Sequence, residues 1–234
     1  KLLIQSDTTG NSTTFDDLSS SNHTITQSGA KHEDIASFNA ERGIGTTSIS
    51  FDGSNDYLSI PDSDDWNFGS GDMTYEFRMR PTSVSGIHVI MGQYQSSTEN
   101  MALYMNNGGL VWEDKTGNSH SGRQVSTSST SLMSTSNWYH VAVVKNGSNA
   151  KIYVDGIERG SASFSAGTDF SATFQIGSQN DGSAYAYSGQ LENIRISKGK
   201  ARYLDDFNPY DTAHGHKLVS RGGGGGGGWA PVGM

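Results

Sequence analysis

The sequence predicts an all-β protein built as a two-layer antiparallel sandwich. Three observations carry this. Apolar residues recur at period two in short runs, and the runs are separated by clusters of Gly, Asn, Asp and Ser at roughly the 8–12 residue spacing of a sandwich. Almost no segment has the 3.6 period of an amphipathic helix over a useful length. Only 17% of the 234 residues are charged, and 30 are glycine. With zero cysteines there is no disulfide staple, so a packed core must carry the stability. The net charge of −8 argues against a nucleic-acid surface, which needs clustered Lys and Arg. No segment reads as a membrane span, so neither nucleic acid nor membrane is an expected partner.

Taken in order, the first segment "KLLIQ" is expected to pair late, with a strand near the C-terminal end. The stretch from His32 to Arg42 has room for a turn or two of helix. "TSISFDGSNDYLSI" reads as strand, turn, strand, with Asp52-Gly53 at the corner. In "DMTYEFRMRP", Met73, Tyr75, Phe77 and Met79 point one way, and Thr74, Glu76, Arg78 and Arg80 point the other, towards solvent. Pro81 ends that strand. "HVIMGQY", "NMALYMN" and "LVWED" follow as further strands. "NWYHVAVVKNG" is apolar on both faces, which places it centrally between two packed layers, with Trp138 and Tyr139 burying large area at its start. Asn146-Gly147 turns it into "AKIYVDG", and Asp155-Gly156 turns that into "IERGSASF". "ATFQIG" and "GQLENIRIS" complete about a dozen strands.

The blocks "SISFDGSNDYLSIPDSDDWNFGSGDMTYEFRMRP", "NWYHVAVVKNGSNAKIYVDGIERG" and "GQLENIRISKGKARY", in this order and spacing, resemble laminin G-like domains of the concanavalin A-like jelly roll. The subset found in phage and virion structural proteins is the most similar. The resemblance covers residues 1–210 and implies a jelly-roll sandwich there, with 211–234 as a glycine-rich C-terminal tail. It also implies a range of roles, from carbohydrate-binding modules to adhesive domains and particle components. Fold alone does not choose among them.

Chemistry narrows the choice. Glycan-cleaving relatives carry two glutamates flanking an aspartate on one strand; that spacing is missing, and Glu76 and Glu192 stand apart. There is no nucleophile elbow either, so no enzyme is expected. No cofactor is expected, but calcium is a possible ligand. Asp52, Asn55 and Asp56, or Asp62, Asp64 and Asp65, offer oxygens, and laminin G-like relatives often bind that ion. The competing explanation is that these aspartates form turns, and the EF-hand spacing fails at Trp66. The seven histidines are scattered, with His214 and His216 paired near the end. For a glycan, an aromatic platform with amides or carboxylates beside it is the usual recognition chemistry. "GSQNDGSAYAYSG" offers Asn180, Asp181, Tyr185 and Tyr187, and Trp112 is a candidate to join them. Alternating tyrosines are equally what a strand with one face in the core presents.

The chain ends in Gly222 to Gly228 followed by Trp229, Pro231, Val232 and Met234. Seven glycines span roughly 15 Å as a coil and up to about 25 Å extended. Such a run gains order only from outside, because its backbone entropy is large and no side chain packs. These terminal residues are expected to dock as an assembly strap on a neighbouring subunit. The function expected is therefore a non-enzymatic structural protein of a virion, decorating a capsid or forming part of a tail or fibre at the virion surface. Its partners would be other virion subunits or copies of itself. The alternative is an extracellular carbohydrate-binding adhesion module.

Overall fold

The computed structural model describes residues 1–6, 8–34, 47–117, 119, 122–182 and 184–209. Among them every regular element is a strand. In chain order these are β1 (Leu2–Ile4), β2 (Thr26–Ser28), β3 (Lys31–Asp34), β4 (Thr47–Asp52), β5 (Tyr57–Ile60), β6 (Met73–Pro81), β7 (Ile87–Ser96) and β8 (Glu99–Asn106). There follow β9 (Gly109–Lys115), β10 (Gln124–Ser126), β11 (Tyr139–Asn146), β12 (Asn149–Val154), β13 (Ile157–Ser163), β14 (Phe174–Ile176) and β15 (Ser188–Lys198). One sheet runs β13-β12-β11-β6-β15-β4-β3, with β1 added to β15; the other runs β10-β9-β8-β7-β14-β5-β2. All pairings are antiparallel, and the two sheets form an all-β jelly-roll sandwich.

Local chemistry explains the connections. Asp155 and Gly156 both have positive φ (52° and 77°), the backbone of a type I′ hairpin turn between β12 and β13. Leu2 pairs with Ile196, so the first strand closes on the last, as the sequence leads one to expect. The turn at Asp52-Gly53 is different from a hairpin. Strand β4 lies in one sheet and β5 in the other, so this corner carries the chain between layers. It is tied by Ser54 N donating to Asp52 Oδ1 (2.7 Å) and Asp52 N donating to Asp56 Oδ2 (2.9 Å).

The core lies between the layers. Met73, Tyr75, Phe77 and Met79 of β6 are all buried in it, following the period-two pattern. Trp112 lies flat on Phe164 (ring centroids 3.9 Å, 7°), and Trp66 stacks on Phe174 (4.6 Å, 25°). Strand β11 is packed on both faces, as expected of a central strand: Val141 and Val143 face the main core, while Ala142 and Val144 join Tyr153 and Tyr203 in a second apolar cluster. Trp138 and Tyr139 are only half-buried, so the area at the start of β11 is smaller than the sequence suggested.

The expected solvent face of β6 is also corrected. Thr74, Glu76 and Arg78 are buried. The irregular segment 199–209 crosses this face, with Tyr203 stacked on Phe207 at 3.7 Å. Residue 210 and the tail 211–234 lie outside the described residues. With them lie His214, His216 and the residues expected to dock, Gly222, Gly228, Trp229, Pro231, Val232 and Met234. Of the stretch read as a helical turn, His32–Asp34 are in β3, and 35–46 are outside the described residues.

Candidate functional site

Strands β7, β8 and β9 are neighbours in the second sheet, and their register fixes what its outer face presents. On β8, Met101, Leu103 and Met105 enter the core, so Asn100, Ala102 and Tyr104 face outward. On β9, Leu110 and Trp112 point inward, leaving Val111, Glu113 and Lys115 outside. A register shift between Val89 and Met91 turns both Ile90 and Met91 inward and keeps Val89 on the outer face. Three cross-strand rows result: Val89, Tyr104 and Val111; Gly92, Ala102 and Glu113; Tyr94, Asn100 and Lys115. The middle row is small at two positions. At Gly92 a Cβ would collide with the Met101 carbonyl oxygen, so the close approach of β7 and β8 requires glycine.

A groove of about 280 Å³ lies on this face. Its sides include Tyr94, Tyr104 and Tyr185, and its amides are Asn100, Gln179 and Asn180. Tyr104 Oη donates to Glu113 Oε2 (3.2 Å), and Gln124 Nε2 donates to the same oxygen (2.8 Å). Burial and the neighbouring Glu113 carboxylate push the Tyr104 phenol above its ordinary range, so it stays protonated. Lys115 Nζ donates to the Ser97 carbonyl oxygen (2.7 Å). Asn100 is only 7% exposed, and what remains open of it, including its amide, meets solvent at the groove. An amide on the wall of a groove has donors and an acceptor with which to meet an incoming polar group.

The other wall is the loop between β14 and β15. Its backbone is left-handed at Asn180 (φ 54°), Asp181 (55°) and Tyr185 (54°), which Asn and Asp tolerate and a tyrosine rarely adopts. Tyr185 is pinned there, its carbonyl accepting from Val89 N (2.7 Å), while its ring is 54% exposed at the groove. Gln175 clasps the loop from within: its Nε2 donates to Asp181 Oδ1, and its Oε1 accepts from Asp181 N (3.1 Å). His88 adds a second tie, with Nδ1 3.0 Å from the Ala186 carbonyl and Nε2 3.0 Å from that of Ser85.

The five residues singled out for a glycan therefore separate. Asn180 and Tyr185 line the groove, and Asp181 holds the loop that presents them. Trp112 and Tyr187 are not available as platforms. Each is 0% exposed, Trp112 flat on Phe164 and Tyr187 against Phe51, with the Tyr187 hydroxyl donating to the Gln190 carbonyl (3.2 Å). Asn100, Tyr94, Tyr104 and Gln179 were not selected from the sequence, although the alternation in "ENMALYMN" already placed Asn100 and Tyr104 on the face opposite the methionines.

Of the aspartates considered for calcium, Asp52 and Asp56 tie a turn, while Asp62 and Asp65 bond residues distant in the sequence. Asp56 and Asp52 cap the sheet-crossing corner, and Asp62 accepts from Gln93 Nε2 (3.1 Å). Asp65 accepts from Ser21 Oγ (2.6 Å) and contacts His23 Nε2 (3.1 Å) and Lys1 Nζ (3.5 Å). Among the described residues, no group of three or more His, Asp or Glu side chains is placed to hold a metal ion. Glu76 and Glu192 are both buried in the other sheet, away from the groove.

Two antiparallel sheets face to face, with an aromatic and amide-lined groove on one outer face, define a lectin-like sandwich. The laminin G-like family profile described as the concanavalin A-like lectin/glucanases superfamily matches residues 52–202, and the chain belongs to that family. Among solved structures, the binding domain of botulinum neurotoxin serotype D superposes with a TM-score of 0.61 at 14% identity, covering 88% of this chain and 48% of that one. Domain 4 of AbnA, an extracellular arabinanase of Geobacillus stearothermophilus solved with arabinotriose, gives 0.58 at 16%, over 77% and 84%. The mouse laminin alpha1 chain, domains LG4-5, gives 0.50 at 16%, over 70% and 45%. This chain thus spans about half the length of the toxin binding domain. At these identities the likeness is one of fold. A search of the curated proteins returns no match.

Proposed function

We propose that the protein is a non-enzymatic, extracellular or surface-displayed binding module whose ligand is a glycan, held in the groove on the outer face of β7–β9. The observation that carries this reading is the groove itself, which sets the Asn100 amide beside the side chains of Tyr94, Tyr104 and Tyr185. Sugars offer hydroxyls to such amides and apolar ring faces to such aromatics. The fold neighbours support it: a botulinum neurotoxin binding domain was solved with SialylT, and the arabinanase domain with arabinotriose. A glycan array followed by calorimetry tests the reading. Binding should be weakened by Asn100→Ala and by Tyr185→Ala at unchanged melting temperature. An array with no hits at millimolar ligand would remove it.

The second part of the proposal is that this module is carried on a virion in many copies, as capsid decoration or part of a tail or fibre. It is supported by the sequence resemblance and by Gly222–Gly228 with the apolar tip that follows. Deleting Gly222 to Met234 should leave the melting temperature unchanged and abolish incorporation into particles. Normal incorporation of the truncated chain would remove the strap.

A further inference from the structure

Resting on the glycan reading, we propose that the groove selects a chain end bearing a methyl substituent, an N-acetyl group or a 6-deoxy carbon, over one carrying hydroxyls alone. The groove is polarised along the strands. At one end stand Asn100, Tyr94, Ser97 and Lys115, which supply amide, hydroxyl and ammonium groups. At the other stand Ile87 and Tyr185, 40% and 54% exposed, two of the five exposed large apolar side chains among the described residues. Val89 lies between these ends and is tied directly to Tyr185 through its N–H. Asn100 and Tyr104 are about 13 Å apart along β8 at the usual strand rise, and Ile87 pairs with Asn106, one further repeat away. A short oligosaccharide reaches from one end to the other.

A sugar hydroxyl pressed against the exposed faces of Ile87 and the Tyr185 ring loses its water and gains no hydrogen bond from those surfaces. A methyl group there covers apolar surface instead, which is worth about fourfold in affinity per group buried.

Two matched pairs test this by titration calorimetry on the full chain: di-N-acetylchitobiose against cellobiose, and a 6-deoxy-D-mannose (D-rhamnose) disaccharide against the D-mannobiose of the same linkage. At least one methyl-bearing member should bind about four- to tenfold more tightly than its hydroxyl counterpart, and which pair responds separates acetyl from deoxy recognition. Ile87→Ser should bring that ratio close to one. Asn100→Ala should weaken both members and leave the ratio intact. Equal binding within both pairs, or a ratio that survives Ile87→Ser, overturns the selectivity while the glycan reading stands. Failure of all four sugars while hydroxyl-only glycans bind on the array overturns it in the same way. An empty array overturns both.

Discussion

Asn100 presents to the groove an amide that bonds none of the described residues, so its hydrogen bonds are made to water until a ligand arrives. A ligand hydroxyl takes the place of that water, and alanine offers it no partner. Asn100→Ala is therefore expected to lower glycan affinity roughly tenfold while leaving the melting temperature unchanged. Trp112→Ala should do the reverse, removing about 3–5 kcal/mol of stability because a ring stacked on Phe164 leaves a cavity behind. Calorimetric melting and ligand titration on the two variants separate the roles; a destabilised Asn100→Ala would make that amide structural. These two residues also show what was legible at this scale. Trp112, Tyr185 and Tyr187 are equally aromatic in the sequence, and only strand parity decides which faces water. On β9 the parity of Leu110 and Trp112 was readable, but weighing aromatics as platforms overrode it. Tyr185 could not have been assigned by alternation, since its left-handed backbone breaks the period.

At the scale of elements, the loop between β14 and β15 is held by the clasp between Gln175 and Asp181 together with its anchors at Val89 and Phe51. Several of its residues sit in left-handed backbone, each such non-glycine position costing roughly 1 kcal/mol or more unless its surroundings hold it. Asp181→Ala removes the carboxylate that Gln175 holds. Amide exchange at Ala184 to Tyr187 should then accelerate, and glycan affinity should fall several-fold with the groove residues themselves untouched. Unchanged exchange would mean that the His88 tie to Ala186 suffices. Turns of this kind were partly legible. Asp155-Gly156 announces a hairpin, because two positive φ angles in succession suit those residues, whereas at Asn146-Gly147 the two-residue turn is Gly147-Ser148 and only Gly147 is left-handed. Asp52-Gly53 announces a turn equally well, yet it is a corner between sheets. Alternation says which side of a strand is buried and is silent about which sheet the next strand joins.

For the whole molecule, the consequential feature is a charged belt buried on the sheet opposite the groove. Glu76 accepts from Arg195 Nη2 (2.7 Å) and from the Tyr203 hydroxyl (3.3 Å), with Arg202 Nε at 3.8 Å and His140 Nε2 at 3.9 Å. The sequence placed Glu76 on a solvent face, because a polar outer row normally means water. What period-two reasoning misses is that segment 199–209, irregular in itself, returns across the strand and seals it. Burial by itself would raise the Glu76 carboxyl, but the adjacent His140 and the charge and hydrogen bond of Arg195 override it and bring it down to about 2, from an ordinary 4.5. A depressed carboxylate stabilises the fold above its unfolded value, and that contribution is lost as pH falls from about 4.5 towards 2. Denaturant unfolding followed across this window should show stability dropping by on the order of 2–3 kcal/mol from this one group. Glu76→Gln should flatten that limb of the profile. It should also be less stable than the parent at neutral pH, since Arg195 and Arg202 then lose their counter-charge in a buried setting. Tyr203→Phe, which removes one hydroxyl and no charge, should keep the acid limb and so separate the electrostatic contribution from packing of the covering segment. Parallel acid profiles for the parent and Glu76→Gln would show that this sheet is held by its apolar cover alone.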